Sequence, residues 1–127
     1  MSDKQQISTT DAPAAIGPYS QAIRAGDTIY LSGQIAIDPA TSKLLDGDAA
    51  TQAHQVMRNL TAVLNAAGGG LGNLVKTGIF LADMNDFAAV NEVYSSYLSE
   101  PYPARATVEV SRLPKDVLVE IDGVAVL

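Results

Sequence analysis

The stretch from Tyr102 to Leu127 limits the possible folds of this chain more than any other. Val108 and Val110 alternate with polar residues, the period of a half-buried strand, and Val117 to Ile121 with Val124 to Leu127 make a second, more continuously apolar strand. Between them, Leu113-Pro-Lys-Asp116 is turn chemistry, because Pro114 fixes φ and donates nothing to a ladder. Antiparallel pairing about Pro114-Lys115 sets Glu120 opposite about Glu109, with Arg105 roughly 13 Å further along at ~3.3 Å per residue. Arg105 stands at the mouth of the first strand, after Pro103-Ala104, and Glu120 sits among Leu118, Val119 and Ile121. A carboxylate in such company must be paired, hydrogen-bonded or raised in pKa, since burying it bare is costly. The ordinary reading of either charge is a solvated strand face. Contact between the two needs a bulge, a long Arg side chain or a second subunit.

Composition narrows the rest. The chain of 127 residues is 47% apolar, enough for one domain (1–127) with a core. It has no cysteine, which excludes a thiolate nucleophile, a disulfide framework and a Cys metal site. The single His54, read mid-helix as a surface or edge residue, excludes a His-cluster metal site. No run reaches transmembrane length, and Met1-Ser-Asp-Lys-Gln-Gln6 lacks a signal-peptide core, so the expected location is cytoplasmic. A net charge of −6 without a basic run leaves no electrostatic footprint for nucleic acid or an anionic membrane.

Along the chain, residues 1–10 read as a loosely ordered start. Gly17-Pro18 marks a turn, Ala22-Ile23 a short strand, Ala25-Gly26-Asp27 a hairpin turn, and Thr28 to Asp38 the next strand. Gly33 inside it signals a bulge or the close approach of another group. Asp48 caps a helix from about Ala49 to Ala67, whose Ala53, Val56, Met57, Leu60, Val63 and Leu64 share a face. Gly68-Gly-Gly70 ends it; coming after a helix, the run is a C-cap and not a phosphate loop. Leu74 to Ala82 is a strand. Asn85 caps a second helix, about Asp86 to Ser99, with Phe87, Val90, Tyr94, Tyr97 and Leu98 on its buried side. The order β-β-β-α-β-α-β-β predicts an α+β fold, a mixed sheet with two helices on one face. The other face is left to cover, which predicts a closed homo-oligomer.

The chain resembles the RidA/YjgF family from about Ala12 to Val126. The most specific blocks are Pro103-Ala-Arg-Ala-Thr-Val-Glu-Val110, Leu113-Pro-Lys-Asp116 and Val119-Glu-Ile121. Support comes from Ala12-Pro-Ala-Ala-Ile-Gly-Pro-Tyr-Ser20, Leu31-Ser-Gly-Gln-Ile35, Val75-Lys-Thr77 and Asn85-Asp-Phe-Ala-Ala-Val-Asn91. The resemblance implies a chorismate-mutase-like homotrimer with sites in the clefts between subunits. It implies hydrolysis of reactive enamines and imines such as 2-aminoacrylate, 2-iminopropanoate and 2-iminobutanoate to 2-oxo acids and ammonia, without metal or organic cofactor. Arg105 matches the family's arginine, whose fork suits a carboxylate. Glu120 matches the glutamate proposed to position or activate water, and its apolar neighbours suit a raised pKa. Tyr19 matches a tyrosine of the cleft. Ser32, Gly33, Phe87 and Asn91 match positions that line or support it, and the backbone around Ala106 and Thr107 would face the substrate nitrogen. Thr107 stands where many members carry cysteine, which removes thiol-dependent behaviour but not a backbone contact.

Against this enzyme reading stands a binding module that holds a small carboxylate without turnover; both need Arg105, and only turnover needs Glu120. A ribonuclease reading, attached to some relatives, is weakened by the acidic balance, since RNA affinity rests on cationic contacts to phosphate. A holdase would need an exposed apolar patch.

Overall fold

The computed structural model describes residues 4–127. Its strands are β1 (Lys4–Ile7), β2 (Ala22–Ala25), β3 (Thr28–Gln34), β4 (Ile37–Asp38), β5 (Lys43–Leu44), β6 (Leu74–Leu81), β7 (Ala104–Glu109) and β8 (Val119–Val126). Two helices, α1 (Ala49–Ala66) and α2 (Phe87–Ser96), complete the fold. Six strands form one mixed sheet in the order β1-β2-β3-β8-β6-β7, and β4 and β5 make a separate two-stranded ribbon. This is the expected α+β class, with a mixed sheet and two helices.

Local signals act as expected. Asp48 caps α1 by accepting from the Thr51 amide at 2.9 Å, and Gly68 follows the helix at φ +92°, a conformation cheap only for glycine. The apolar stripe of α1 is fully buried across β3 and β8. The two-residue turn Gly26-Asp27 joins β2 to β3, with Gly26 at φ +61°. A bulge falls at Ser32-Gly33, because Leu31 pairs with Gly123 while Gln34 pairs with Ile121.

Several local expectations change. The start of the chain is not loose over its described part: Lys4–Ile7 is an edge strand on β2, while residues 1–3 lie outside the described residues. Asp83, not Asn85, caps the second helical segment, accepting from the Asn85 amide at 2.8 Å; a single 3-10 turn over Met84–Asp86 precedes α2. Phe87 is 36% exposed, not core, and the buried side of α2 is Val90, Val93 and Tyr94. His54 is partly buried, with Nδ1 3.0 Å from Tyr97 Oη in a hydrogen bond that ties α1 to the end of α2.

The largest change concerns the C-terminal strands, which are not a hairpin. β6 lies between β7 and β8, antiparallel to β8 and parallel to β7. Glu120 therefore pairs with Phe80, not Glu109, and Arg105 pairs with Thr77. A strand, a helix and a second strand in sequence favour a parallel neighbour over a tight antiparallel return. The 3-10 turn Pro114–Asp116 redirects the chain instead of closing a hairpin, with Lys115 and Asp116 both in the left-handed region at φ +56° and +57°.

Candidate active site

Strand alternation decides which face each side chain takes. On β8, Val119, Ile121 and Ala125 are buried under α1, so Glu120 and Asp122 point to the opposite face. On β6, Thr77, Ile79 and Leu81 are buried on the helix side. Arg105 and Thr107 are in register with Thr77 and Ile79, so they share that side. Arg105 and Glu120 thus stand on opposite faces of the sheet with β6 between them. Two inter-strand steps of ~4.8 Å and three residues of ~3.3 Å rise put their Cα atoms roughly 14 Å apart.

Each group sits in its own cleft. Arg105 opens on a cleft of about 390 Å³, with Asn91, Tyr94, Ser95, Tyr102 and Pro103 around it. Its Nη1 donates to Asn91 Oδ1 at 2.6 Å. Its guanidinium carbon stands 5.6 Å from the Phe87 ring centroid and 5.2 Å from that of Tyr94, within cation–π range. Phe87, Asn91 and Tyr94 are spaced i, i+4, i+7, one stripe along α2. With Asn91 on Nη1, the Nε–Nη2 edge of Arg105 has no hydrogen-bond partner among the described residues. That edge offers two parallel donors, the geometry of a carboxylate.

β7 is also the sheet's last strand, and its outer edge is unpaired among the described residues. The Val110 amide donates inward to Leu81 O at 2.9 Å, so alternation turns the N–H and C=O groups of Arg105, Thr107 and Glu109 outward. A backbone contact from Thr107 is thus available beside Arg105. The Thr107 hydroxyl is shut off from solvent and has no hydrogen-bond partner among the described residues. Ala106 faces the other side, in a third cleft with Gly78 and Asp122, and so is separated from Arg105 as a side chain.

The second cleft, about 490 Å³, gathers Glu120, Tyr19, Ser32, Gly33 and Lys115. Gly33 leaves the space in which the carboxylate lies: a Cβ there would collide with Glu120 Oε2. The bulge is pinned by the Ser32 hydroxyl, which donates to Ser20 O at 2.6 Å, and by the Ser32 amide on Gln21 O at 3.0 Å. Tyr19 is 52% exposed at the rim. Partial burial, with the Asp122 carboxylate as a lesser contribution, pushes the Glu120 carboxyl above its ordinary range. Burial likewise raises Asp122, against hydrogen bonds from the Gly78 and Asp122 amides and the charge of Lys76.

The structure thus groups Arg105 with Phe87 and Asn91, and Glu120 with Tyr19, Ser32 and Gly33, but does not bring the two groups together in one chain. Sequence reasoning missed three contributors. Tyr94 is core, as its helical spacing predicts, yet one ring face also serves Arg105. Lys115 sits in the predicted turn, yet it also lines the Glu120 cleft. Gln21 is 3% exposed and holds the segment leading to Tyr19: its Nε2 donates to Thr9 O at 3.0 Å and Pro13 O at 2.8 Å. A polar residue between a Gly-Pro turn and a short strand was the available signal for Gln21, and a place in the block Leu113-Pro-Lys-Asp116 was the signal for Lys115.

Known proteins share this architecture. Residues 9–127 match the family model described as Endoribonuclease L-PSP. A RutC family protein of Pyrococcus horikoshii is 53% identical over 96% of this chain and 97% of its own. A protein of Mus musculus named 2-iminobutanoate/2-iminopropanoate deaminase is 50% identical over 97% of this chain and 91% of its own. The crystal structure of E. coli TdcF with bound serine superposes with a TM-score of 0.93 at 42% identity, covering 98% of this chain and 99% of that one. A match over nearly the whole chain, with the Arg105 and Glu120 blocks inside it, makes this protein a member of the Endoribonuclease L-PSP family, the RidA/YjgF family.

Proposed function

We propose that the protein hydrolyses reactive 2-imino acids, 2-iminopropanoate and 2-iminobutanoate with their enamine forms such as 2-aminoacrylate, to 2-oxo acids and ammonia. The observation that carries this is the open Nε–Nη2 edge of Arg105, a carboxylate fork held in place by Asn91, Phe87 and Tyr94. The deaminase name of the mouse relative and the serine bound to TdcF support it.

The site is completed between copies. In one chain Arg105 and Glu120 face away from each other, while the outer edge of β7 and the helix-free face of the sheet are both open. That face exposes Tyr30, Val108 and Val126, each at least 42%, an apolar surface that favours a partner. A homotrimer, the state the family resemblance implies, sets Arg105 and Thr107 of one copy beside Tyr19, Gly33 and Glu120 of the next.

The chemistry follows from these groups. Arg105 binds the substrate carboxylate and the outward Thr107 backbone orients the nitrogen. An enamine such as 2-aminoacrylate first takes the proton of the Glu120 carboxyl at its terminal carbon, giving the iminium and the Glu120 carboxylate. Glu120 removes a proton from water as its oxygen bonds to the iminium carbon, giving a carbinolamine. The protonated carboxyl then delivers that proton to the amine, the carbon–nitrogen bond breaks, ammonia leaves, and the hydroxyl loses its proton to form the 2-oxo acid. A carboxyl whose pKa is raised by burial suits both directions of transfer.

The test couples the protein to a threonine dehydratase and follows 2-oxobutanoate release with semicarbazide trapping free imine. Wild type accelerates release and Arg105→Ala does not. If wild type matches the protein-free reaction while 2-oxobutanoate still binds in an Arg105-dependent way, the cleft holds carboxylates without turnover and the hydrolase reading fails.

A further inference from the structure

We infer that Tyr94, anchored through Thr77, is a positioning residue for Arg105, fixing the place of the guanidinium and so the carboxylate it receives. The inference rests on the carboxylate role proposed for Arg105. Tyr94 is 4% exposed and Thr77 1%, and their hydroxyls share a 2.7 Å hydrogen bond. A residue needed only to fill the core beneath α2 would be leucine or phenylalanine, because a buried phenol demands a partner. Here the partner is the β6 residue in register with Arg105. The anchor of the ring and the backbone of the cation therefore belong to adjacent, hydrogen-bonded strands. The ring lies 5.2 Å from the guanidinium carbon, nearer than the 5.6 Å of Phe87.

Phe87 is 36% exposed and has no such anchor, and Asn91 holds one nitrogen only. Tyr94 is thus the fixed wall against which an otherwise exposed Arg105 is set. Ordering the cation before binding removes an entropic cost that a long side chain otherwise meets when it closes on its ligand.

A double-mutant cycle in the full chain tests this, with 2-oxobutanoate as the probe, titrated by NMR so that millimolar affinities are read. Tyr94→Leu, which keeps apolar bulk and removes the π face, weakens binding about fivefold, the fold-change of a cation–π contact of ~1 kcal/mol. Tyr94→Phe and Thr77→Val, which keep the ring but release it, each weaken binding about twofold. In an Arg105→Ala background none of the three changes affinity further. Wild-type affinity in Tyr94→Leu, with affinity lost in Arg105→Ala, overturns the inference and leaves the carboxylate role of Arg105 standing. An equal loss from Tyr94→Leu in both backgrounds also overturns it, because the ring then acts on the fold and not through Arg105. Should Tyr94→Leu fail to fold, Tyr94→Phe and Thr77→Val decide the matter on the same criteria. Unchanged affinity in Arg105→Ala itself overturns the carboxylate role and this inference together. Absence of turnover with this cycle intact sinks only the hydrolase reading.

Discussion

The Arg105 cleft and the Glu120 cleft prepare their charged groups by opposite means. Arg105 is an exposed residue on an edge strand, and contacts with α2 define its position: two rings and one amide. Glu120 lies on a central strand, where the glycine of a bulge makes room for it and partial burial raises its pKa. One half is positioned and the other is tuned. In the roles proposed, Arg105 binds by geometry, so its neighbours must be rigid, and Glu120 works by proton affinity, so its neighbours must limit water.

The sharpest test of this division is Glu120→Gln, which keeps shape and loses the titrating group. Turnover should fall about 10²- to 10⁴-fold, the usual worth of a general acid–base, while 2-oxobutanoate affinity stays near wild type. The same variant has a stability signature. The folded-state pKa of Glu120 lies above its ordinary value of 4.5, so the folded protein holds the proton more tightly than the unfolded chain. Its contribution is therefore fully present below pH 4.5 and lost as pH rises through the raised value. Glu120→Gln should melt higher than wild type at neutral pH, and its Tm should fall less steeply as pH rises from 4.5; a part of the slope remains because Asp122 shifts in the same direction. A lower Tm at neutral pH would remove the tuned half of the comparison.

Arg105→Lys probes the positioned half. Lysine keeps the charge and loses the fork, and a charge-assisted hydrogen bond is worth about 1.5–3 kcal/mol, so 2-oxobutanoate affinity should drop about 10- to 100-fold by calorimetry. Full affinity would show that charge alone suffices. Thr77→Val should cost about 1–3 kcal/mol in urea unfolding, because Tyr94 Oη is left buried without a partner. The smallest effect belongs to Arg112→Ala. Its 2.8 Å pair with Asp116 is fully exposed, and exposed pairs contribute little. Its Tm should match wild type, and a clear drop would mean that this pair holds Lys115 and Asp116 in their left-handed conformation.

Much of each half was readable from local signals. Gly33 by itself marked a bulge or a close approach, because a glycine interrupting a strand has few other uses; both turned out to hold, with Glu120 filling the space. Asp48, Gly26 and the stripe of α1 were equally plain, each depending on neighbours within a few residues. The partner of each strand was not. Val108 and Val110 announced a strand, but nothing in their spacing said whether β7 would lie on β8 or on β6. The expected hairpin failed there, and with it the placing of Glu120 opposite Glu109.

The sequence alone thus determined most kinds of element and the family, and it named the residues that the proposed chemistry uses, because propensity, capping and motif identity are properties of short segments. Only the tertiary structure decided that β6 separates the two halves, that Tyr94 faces Arg105, and that Arg105 and Glu120 do not meet within one chain. Strand order and facing depend on which distant segments bury each other's apolar surface, and a one-residue change of register reverses every side chain.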